Sequence, residues 1–294
     1  MSSSRVWRIG DTRDQLGESP VWDDRTQRLY WIDSLAGTIH CLDPATGELR
    51  DFHAPAPVGS MVLRHDGGAV LALRHGFFRY DFALGEVTSS IAQIGCDHPM
   101  VRLNDGKVDP QGRFVAGTMH HGRAHDEPAL GGLYRLNAGT LELLDTDIGV
   151  TNGPCFSPDG ATFYLADSAW RSIWAYDYRH DGAPANRRLF ADTRTLNSAP
   201  DGATVDAEGY LWSVLVQAGG IARFAPDGRL DRTVELPVKH PTSVAFGGPD
   251  LDILYVTSIS KSTNLTASEP DAGGLFGVEG LGVRGLPTRL FTAD

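Results

Sequence analysis

A strand-only unit of roughly 40–50 residues recurs six times along this 294-residue chain. In each copy an apolar anchor precedes a turn rich in Gly, Pro and Asp, and a short run of β-branched and aromatic residues follows the turn. The anchors, which are 41, 45, 48, 49 and 41 residues apart, are Trp22, Leu63, Val108, Phe156, Val205 and Phe246. No window of helical length places apolar residues at a period of 3.6. The pattern therefore predicts an all-β fold.

The period of the repeat predicts a six-bladed β-propeller with a central channel. A β-sandwich also contains many short strands, but it has no reason to repeat at this spacing. We expect residues 1–294 to form one domain, with blades that begin near residues 18, 59, 104, 152, 201 and 242. A spare strand over residues 5–9 precedes the first copy. We expect this strand to complete the last blade and close the ring.

Composition excludes several classes of function. The chain is 41% hydrophobic and 21% charged, as globular proteins are, and its net charge of -11 argues against binding to nucleic acid or to an anionic membrane. No apolar run approaches the roughly 18 residues of a transmembrane helix, and the N-terminal stretch lacks a signal-peptide core. Cys41, Cys96 and Cys155 are too widely spaced for a metal motif and suggest reduced thiols. We expect a cytoplasmic protein, and a monomer because closed propellers need no partner to cover strand edges.

One position of the repeat carries side chains with oxygen donors. Four residues before the anchors stand Glu18, Gly59, Asn104, Asn152, Asp201 and Thr242. Equivalent positions in a propeller lie on a circle about the axis, so two carboxylates and two amides should meet at one channel mouth. Singly, each would be read as a turn residue that bonds its own backbone. Together, clustered carboxylates repel one another unless a cation neutralises them, which predicts a bound metal.

The expected metal is one divalent cation. Oxygen donors without His or thiolate suit Ca²⁺, Mg²⁺ or Mn²⁺ and tolerate Fe²⁺ or Zn²⁺, so ligand chemistry does not select among these ions.

Arg102 lies two residues before Asn104, on the same face of an extended segment, where its guanidinium could hold a sugar hydroxyl or lactone oxygen. The alternative for Arg102 is a surface ion pair. Asp105, beside Asn104, could either support the site or only shape the local turn.

Four segments resemble the signature segments of the SMP-30/gluconolactonase/luciferin-regenerating-like family: LGESPVWDD, RLNDGKVDPQGRFVAGTM, TNGPCFSPDGATFYLADS and PDGATVDAEGYLW. The similarity covers nearly the whole chain in order. It implies a six-bladed propeller and hydrolysis of an aldono-1,4- or 1,5-lactone with one divalent metal. By the same resemblance Glu18, Asn152 and Asp201 are expected to ligate the metal, with Asp201 also the catalytic acid/base. Arg102 and Asn104 are expected to contact the substrate.

One segment departs from the mammalian pattern. Mammalian members of the family carry a substrate-binding glutamate where this chain has Gly122, which places the sugar specificity in doubt. The segment just before it, which contains His120 and His121, is similar to the same segment of bacterial xylonolactonase-like members. We expect both histidines to contact substrate. A separate zinc site from His121 and His125 would need a helical segment, against which Gly122 argues.

These expectations converge on hydrolysis of a sugar lactone to its aldonic acid in sugar-acid catabolism. The partner is then a small-molecule lactone, with neither nucleic acid nor membrane involved. Two alternatives stay open. One is a metal-dependent hydrolase of other esters or organophosphates on the same propeller, which a dry aromatic pocket would indicate. The other is a non-catalytic binding propeller.

Overall fold

The computed structural model describes residues 4–96, 98–123, 127–180 and 183–293. These residues form short β-strands and one 3-10 helix, Thr193–Leu196. The strands in chain order are β1 (Arg5–Ile9), β2 (Gly17–Asp23), β3 (Arg28–Asp33), β4 (Thr38–Asp43), β5 (Glu48–His53), β6 (Val58–Leu63), β7 (Ala69–Leu73), β8 (Gly76–Asp81), β9 (Glu86–Gln93), β10 (Val101–Val108), β11 (Phe114–His120), β12 (Gly131–Asn137), β13 (Thr140–Ile148), β14 (Thr151–Phe156), β15 (Thr162–Asp167), β16 (Ser172–Asp177), β17 (Ala185–Asp192), β18 (Pro200–Val205), β19 (Leu211–Leu215), β20 (Gly220–Phe224), β21 (Leu230–Glu235), β22 (Pro241–Gly247), β23 (Ile253–Ser258) and β24 (Leu275–Glu279).

The strands assemble into six antiparallel, four-stranded sheets, the blades of a propeller. Blades 1 to 5 each consist of four consecutive strands, from β2–β5 to β18–β21, and blade 6 combines β22–β24 with β1. The first strands of the blades, β2, β6, β10, β14, β18 and β22, pack side by side around the channel. The predicted all-β, six-bladed propeller is confirmed.

Apolar side chains fill the space between neighbouring blades. All six anchors of the sequence repeat are buried, and each seam between two blades has its own apolar cluster. At the seam between blades 6 and 1, Trp22 stacks on Tyr255 with ring centroids 5.9 Å apart. Burial of each large apolar side chain contributes about 1.5–3 kcal/mol, so the seams hold the blades together.

The ring closes at the N-terminal strand. β1 pairs antiparallel with β24, with Arg5 opposite Glu279 and Ile9 opposite Leu275. The chain then enters blade 1 through Asp14, whose amide donates to a carbonyl of the loop before β24 (2.8 Å). The first and last strands of the propeller therefore meet in blade 6, where β1 completes the four-stranded sheet.

A buried polar cluster holds this junction on blade 1. The His40 Nε2 lies 3.0 Å from Asp14 Oδ1, its Nδ1 lies 2.7 Å from Asp51 Oδ1, and the Trp31 indole donates to Asp14 Oδ2 (2.9 Å). Burial opposes protonation of His40, but the two carboxylates outweigh it and raise its pKa above the ordinary value of 6.5. The imidazolium is thus favoured in the folded protein.

The C-terminal strap, defined as residues 284–293, crosses the channel face opposite to the starts of the inner strands. The Arg284 carbonyl accepts from an amide of blade 5 (2.8 Å), the Thr288 amide donates to an aspartate of blade 1 (2.8 Å), and the Thr292 amide donates to a carbonyl of blade 3 (2.9 Å). The strap thereby ties non-neighbouring blades together.

All three cysteines are free. Nowhere in the described ranges is there a helix of the length and apolarity needed to cross a membrane.

The buried imidazolium gives the fold a pH dependence. His40 stabilises the fold fully below pH 6.5, and this stabilisation is lost as the pH rises through its raised folded-state pKa. We expect His40→Gln to lower the free energy of unfolding by about 1–3 kcal/mol at pH 6 and by less at pH 8.5. Urea titrations at the two pH values measure this difference. The exposed His53 of the same blade provides the control, because His53→Gln should leave the pH profile as it is; an unchanged profile in His40→Gln would contradict the assignment.

Candidate functional site

All six inner strands carry a β-bulge at the same height of the channel. The register of pairing with the next strand shifts at Glu18/Val21, Val58/Ser60, Leu103/Gly106, Asn152/Cys155, Pro200/Ala203 and Pro241/Val244. A bulge inserts an unpaired residue, bends the strand and re-aims the neighbouring side chains. The bulges coincide with the position of the repeat that carries the oxygen donors.

A cavity of about 540 Å³ opens at this mouth, and we call it the site cavity. Its lining includes the predicted site residues Glu18, Arg102, Asn104, His121, Asn152 and Asp201. In the two remaining blades this position of the repeat contributes no oxygen donor to the cavity. A side chain at Gly59 would meet the Leu103 carbonyl oxygen at 2.6 Å, and Thr242 is fully buried with its hydroxyl bonded to the Gly17 carbonyl. Close packing against neighbouring backbone therefore explains why Gly59 and Thr242 occupy this position of the repeat in these two blades.

A chain of hydrogen bonds fixes the two amides across three blades. Arg102 Nη1 donates to Asn104 Oδ1 (2.9 Å), Asn104 Nδ2 donates to Asn152 Oδ1 (2.9 Å), and Asn152 Nδ2 donates to Ser168 Oγ (2.8 Å). Ser168 in turn donates to the Pro200 carbonyl, next to Asp201 (2.6 Å). Each amide is thus held in one orientation. Ser168 carries no sequence signal that would have marked it as part of the site.

Burial and nearby negative charge disfavour the ionised forms of the two site carboxylates, Glu18 and Asp201. Asp201 is 8% exposed, and its Oδ1 has no hydrogen-bond partner among the described residues. Burial, and then the negative charge of Asp105, raise the pKa of Asp201 well above its ordinary value. Burial, followed by repulsion from Asp201 and Asp105, likewise raises the pKa of Glu18. A cation between the two carboxylates would remove both penalties.

The donor set fits a hard divalent cation. Glu18 and Asp201 supply carboxylate oxygens, and Asn152 supplies an amide oxygen with a lone pair beyond its bond to Asn104. Within the described ranges no three His, Cys, Asp or Glu side chains form a group that could hold a metal. The Asn152 amide would then be the third protein donor of a site here. Carboxylate and carbonyl oxygens are the ligands that Ca²⁺ prefers.

Asp105 does more than shape its own turn. Its Oδ1 accepts from the Gly106 amide (2.7 Å) and its Oδ2 accepts from the Gly153 amide (2.8 Å), which couples blade 3 to blade 4 beside Asn152. Gly153 has a left-handed φ of +53°, and a Cβ there would lie 2.8 Å from the Asp201 carbonyl oxygen. The Asn-Gly-Pro sequence thus holds Asn152 where two blades approach closely.

His120 and His121, which the sequence predicts to contact substrate, have different surroundings. His121 lines the site cavity, whereas His120 is buried outside its lining with its ring 5.2 Å from that of His98. The two side chains point to opposite sides because direction alternates along an extended segment. His120 thus lies outside the lining of this cavity, and its contact with substrate stays a prediction. His125, the partner in the alternative zinc site, lies outside the described residues.

One side of the cavity is positively charged. We define the basic side as Arg74, Arg102 and His121, all of which line the cavity. Burial, with repulsion from Arg74, lowers the pKa of Arg102 to about 10, although Glu18 opposes the shift. Burial, then the charges of Arg102 and Arg74, lower the pKa of His121, so its imidazole is neutral at pH 7. Arg74 belongs to no motif that the sequence repeat reveals.

Comparison with known proteins places these features in a family. The model of the SMP-30/gluconolactonase/LRE-like region matches residues 16–260, which contain every predicted site residue. The chain belongs to this family. The resemblance of the four sequence segments is thereby confirmed.

Members of the SMP-30/gluconolactonase/LRE-like family with similar sequences include enzymes named for lactones. The chain is 39% identical over 267 residues to a 6-deoxy-6-sulfogluconolactonase of Pseudomonas putida, covering 89% of this chain and 90% of that protein. It is 34% identical over 279 residues to pentonolactonase XacC of Haloferax volcanii, covering 92% and 93%. A solved structure of the calcium-binding protein regucalcin from Agrobacterium tumefaciens superimposes with a TM-score of 0.88 at 29% identity, covering 97% and 96%.

Cation binding should release protons from the site. The pKa values of Glu18 and Asp201 are raised in the metal-free protein, and a bound cation favours the ionised carboxylates. We expect the affinity for Ca²⁺ to increase with pH over the range in which these groups ionise. Calorimetric titration in two buffers with different ionisation enthalpies measures the released protons. Affinity that is independent of pH, with no proton release, would contradict this electrostatic description.

Substitution of Gly153 should damage both the fold and the site. Gly153→Ala adds a methyl group 2.8 Å from Ala203 and from the Asp201 carbonyl, so we expect a loss of about 1–3 kcal/mol relative to Gly47→Ala. Gly47 is the matched control, because it has a left-handed φ of +75° but open space around its Cβ position. Ca²⁺ affinity should fall only in Gly153→Ala. Equal effects of the two substitutions in chemical denaturation and calorimetry would exclude the close-approach explanation.

Proposed function

We propose that this protein hydrolyses a sugar lactone to the corresponding aldonic acid with the help of one divalent cation. The main support for this proposal is the site cavity, in which a buried carboxylate oxygen of Asp201 has no hydrogen-bond partner among the described residues. Glu18 and Asn152 supply the further oxygen donors beside it. These residues would hold the cation, and Ca²⁺ is the first ion to test because its ligand preference matches the donors.

A divalent cation held there would act as a Lewis acid that polarises the lactone carbonyl. Asp201 would take one proton from the attacking water as the water oxygen bonds to the carbonyl carbon. The bond from that carbon to the ring oxygen then breaks, and Asp201 returns the proton to the departing ring oxygen. Water is consumed and an open-chain hydroxy acid is formed, so protons balance without another reactant.

Arg102 and Asn104 would orient the sugar in this proposal. The Arg102 guanidinium uses Nη1 for the Asn104 amide, which leaves other N–H groups for hydroxyl oxygens of the substrate. His121 has a lowered pKa, and as a neutral imidazole it both donates and accepts hydrogen bonds. Such convergent polar groups suit a polyhydroxylated substrate.

The composition of the cavity favours a sugar lactone over the alternative esters and organophosphates. Within the described part of the chain, its lining holds carboxylates, amides, arginines and small hydroxyl side chains beside aliphatic residues, but no Phe, Tyr or Trp. The convergent polar groups can bind the hydroxyl groups of a sugar, and the described lining offers no aromatic surface to an aryl leaving group. The named relatives also support hydrolysis of a lactone, because a sulfogluconolactonase and a pentonolactonase are both hydrolases of cyclic esters.

Substitutions at Asp201 separate metal binding from turnover. We expect Asp201→Asn to retain Ca²⁺ and to lose about 10²–10⁴-fold in kcat on D-glucono-1,5-lactone, because the amide cannot carry the proton. Asp201→Ala should lose both Ca²⁺ binding and hydrolysis. A pH-indicator assay measures turnover, and calorimetry measures Ca²⁺.

The exposed Asp227 of the same blade gives the matched control, since Asp227→Asn should have parental activity. The assay should cover a panel of 1,4- and 1,5-aldonolactones, each with and without a chelator. Parental rates in both Asp201 variants would refute the role of this residue, and rates insensitive to chelator would refute the need for a cation.

A further inference from the structure

The arginines of the basic side are unpaired. Arg102 donates through Nη1 to the Leu103 carbonyl (2.8 Å) and to Asn104 Oδ1 (2.9 Å), and it forms no ion pair with any described residue. Arg74 donates through Nη2 to the Pro99 carbonyl (2.6 Å), and it too lacks an ion pair within the described ranges. Both guanidinium groups therefore keep free N–H donors at the cavity.

A backbone hydrogen bond keeps the segments of these arginines together. The Arg74 carbonyl accepts from the Leu103 amide (2.8 Å), which joins the end of β7 in blade 2 to β10 in blade 3, one residue from Arg102. Their charges repel, and this repulsion contributes to the lowered pKa of Arg102. Glu18 attracts Arg102 and the exposed Arg74 is solvated, but no described carboxylate forms an ion pair with either guanidinium, so the two together attract additional negative charge.

The charges of the site carboxylates do not supply it once the proposed cation is present. Glu18 and Asp201 together carry two negative charges, which a divalent cation offsets. Asp105 is bonded to two backbone amides, and burial raises its pKa although Lys107 opposes the shift. His121 is neutral. The loaded cavity would therefore have two excess positive charges from Arg74 and Arg102, in a protein whose net charge is -11.

We propose that the substrate of this site is a lactone with an anionic oxoacid group, bound by Arg74 and Arg102 at the end of the sugar remote from the lactone carbonyl. Phosphate, sulfonate and carboxylate share the required chemistry, because each accepts paired hydrogen bonds from guanidinium groups. The cavity of about 540 Å³ has room for a hexose lactone with such a substituent. This inference rests on the proposed function and deepens it.

Matched pairs of lactones test the inference. The anionic substrates are derivatives of D-glucono-1,5-lactone that carry a phosphate or a sulfonate on carbon 6, or in which carbon 6 is a carboxylate. We expect kcat/KM for the preferred one of these three to exceed that for neutral D-glucono-1,5-lactone about 10- to 100-fold. The order among the three anions identifies the group. Arg74→Gln should reduce kcat/KM for the preferred anionic lactone about 10- to 100-fold and should reduce that for the neutral lactone far less. Added salt should raise KM for the anionic lactone alone.

Arg50→Gln is the control, because Arg50 is exposed on the outer strand of blade 1 and pairs with Glu48. It should change neither rate. Calorimetry supplies a readout without turnover: in buffer with Ca²⁺, glucose 6-phosphate should bind to the parent protein more tightly than glucose and less tightly to Arg74→Gln. Comparable efficiency on neutral and all three anionic lactones, with equal effects of Arg74→Gln, would overturn the inference and leave the proposed function standing. If no lactone is hydrolysed, the proposed function fails, and glucose 6-phosphate binding no tighter than glucose then also rejects the anion site.

Discussion

Closure of six sheets into one ring is the constraint on which the rest of this structure depends. The ladder between β1 and β24 joins the first strand of the chain to the last blade and completes its four-stranded sheet. The inner strands can then surround a single axis. As a result Glu18, which follows the closing junction by only a few residues, meets side chains that are far away in sequence. The polar cluster of Asp14 and His40 lies at this junction, so electrostatics there bear on the geometry of the whole ring.

Backbone geometry, more than side-chain identity, selects which residues reach the site cavity. Every blade has the same bulge, yet only four present oxygen donors. Gly59 is excluded by the approach of blade 3, and Gly153 permits the approach of blade 5. Asp105 accepts the Gly153 amide and holds this contact in place. The donors are therefore positioned by hydrogen bonds between blades, which a rigid scaffold can maintain without a bound ligand.

Incomplete pairing distinguishes the site from the structural ion pairs elsewhere. Arg223 is buried in blade 5, where its Nη2 lies 2.7 Å from both Asp206 Oδ2 and Glu208 Oε2. Asp201 instead has an unpartnered oxygen, and Arg102 bonds only to neutral acceptors. Buried charges without partners are unfavourable unless a ligand compensates them. Unmet negative charge near Asp201 and unmet positive charge near Arg102 would let one cavity hold both the proposed cation and the proposed anionic substituent.

The sequence by itself determined the number of blades, the β class and the register that holds Glu18, Asn104, Asn152 and Asp201, because strand periodicity and turn chemistry are local properties repeated at a fixed spacing. It also marked the family through segments that span the chain. Only the tertiary structure decided that His121 faces the cavity and His120 does not, that Asp105 bridges two blades, and that Arg74 joins Arg102. These outcomes depend on which strands come to lie side by side and on how each bulge turns its side chains, and contacts between blades leave no periodic trace in a single sequence.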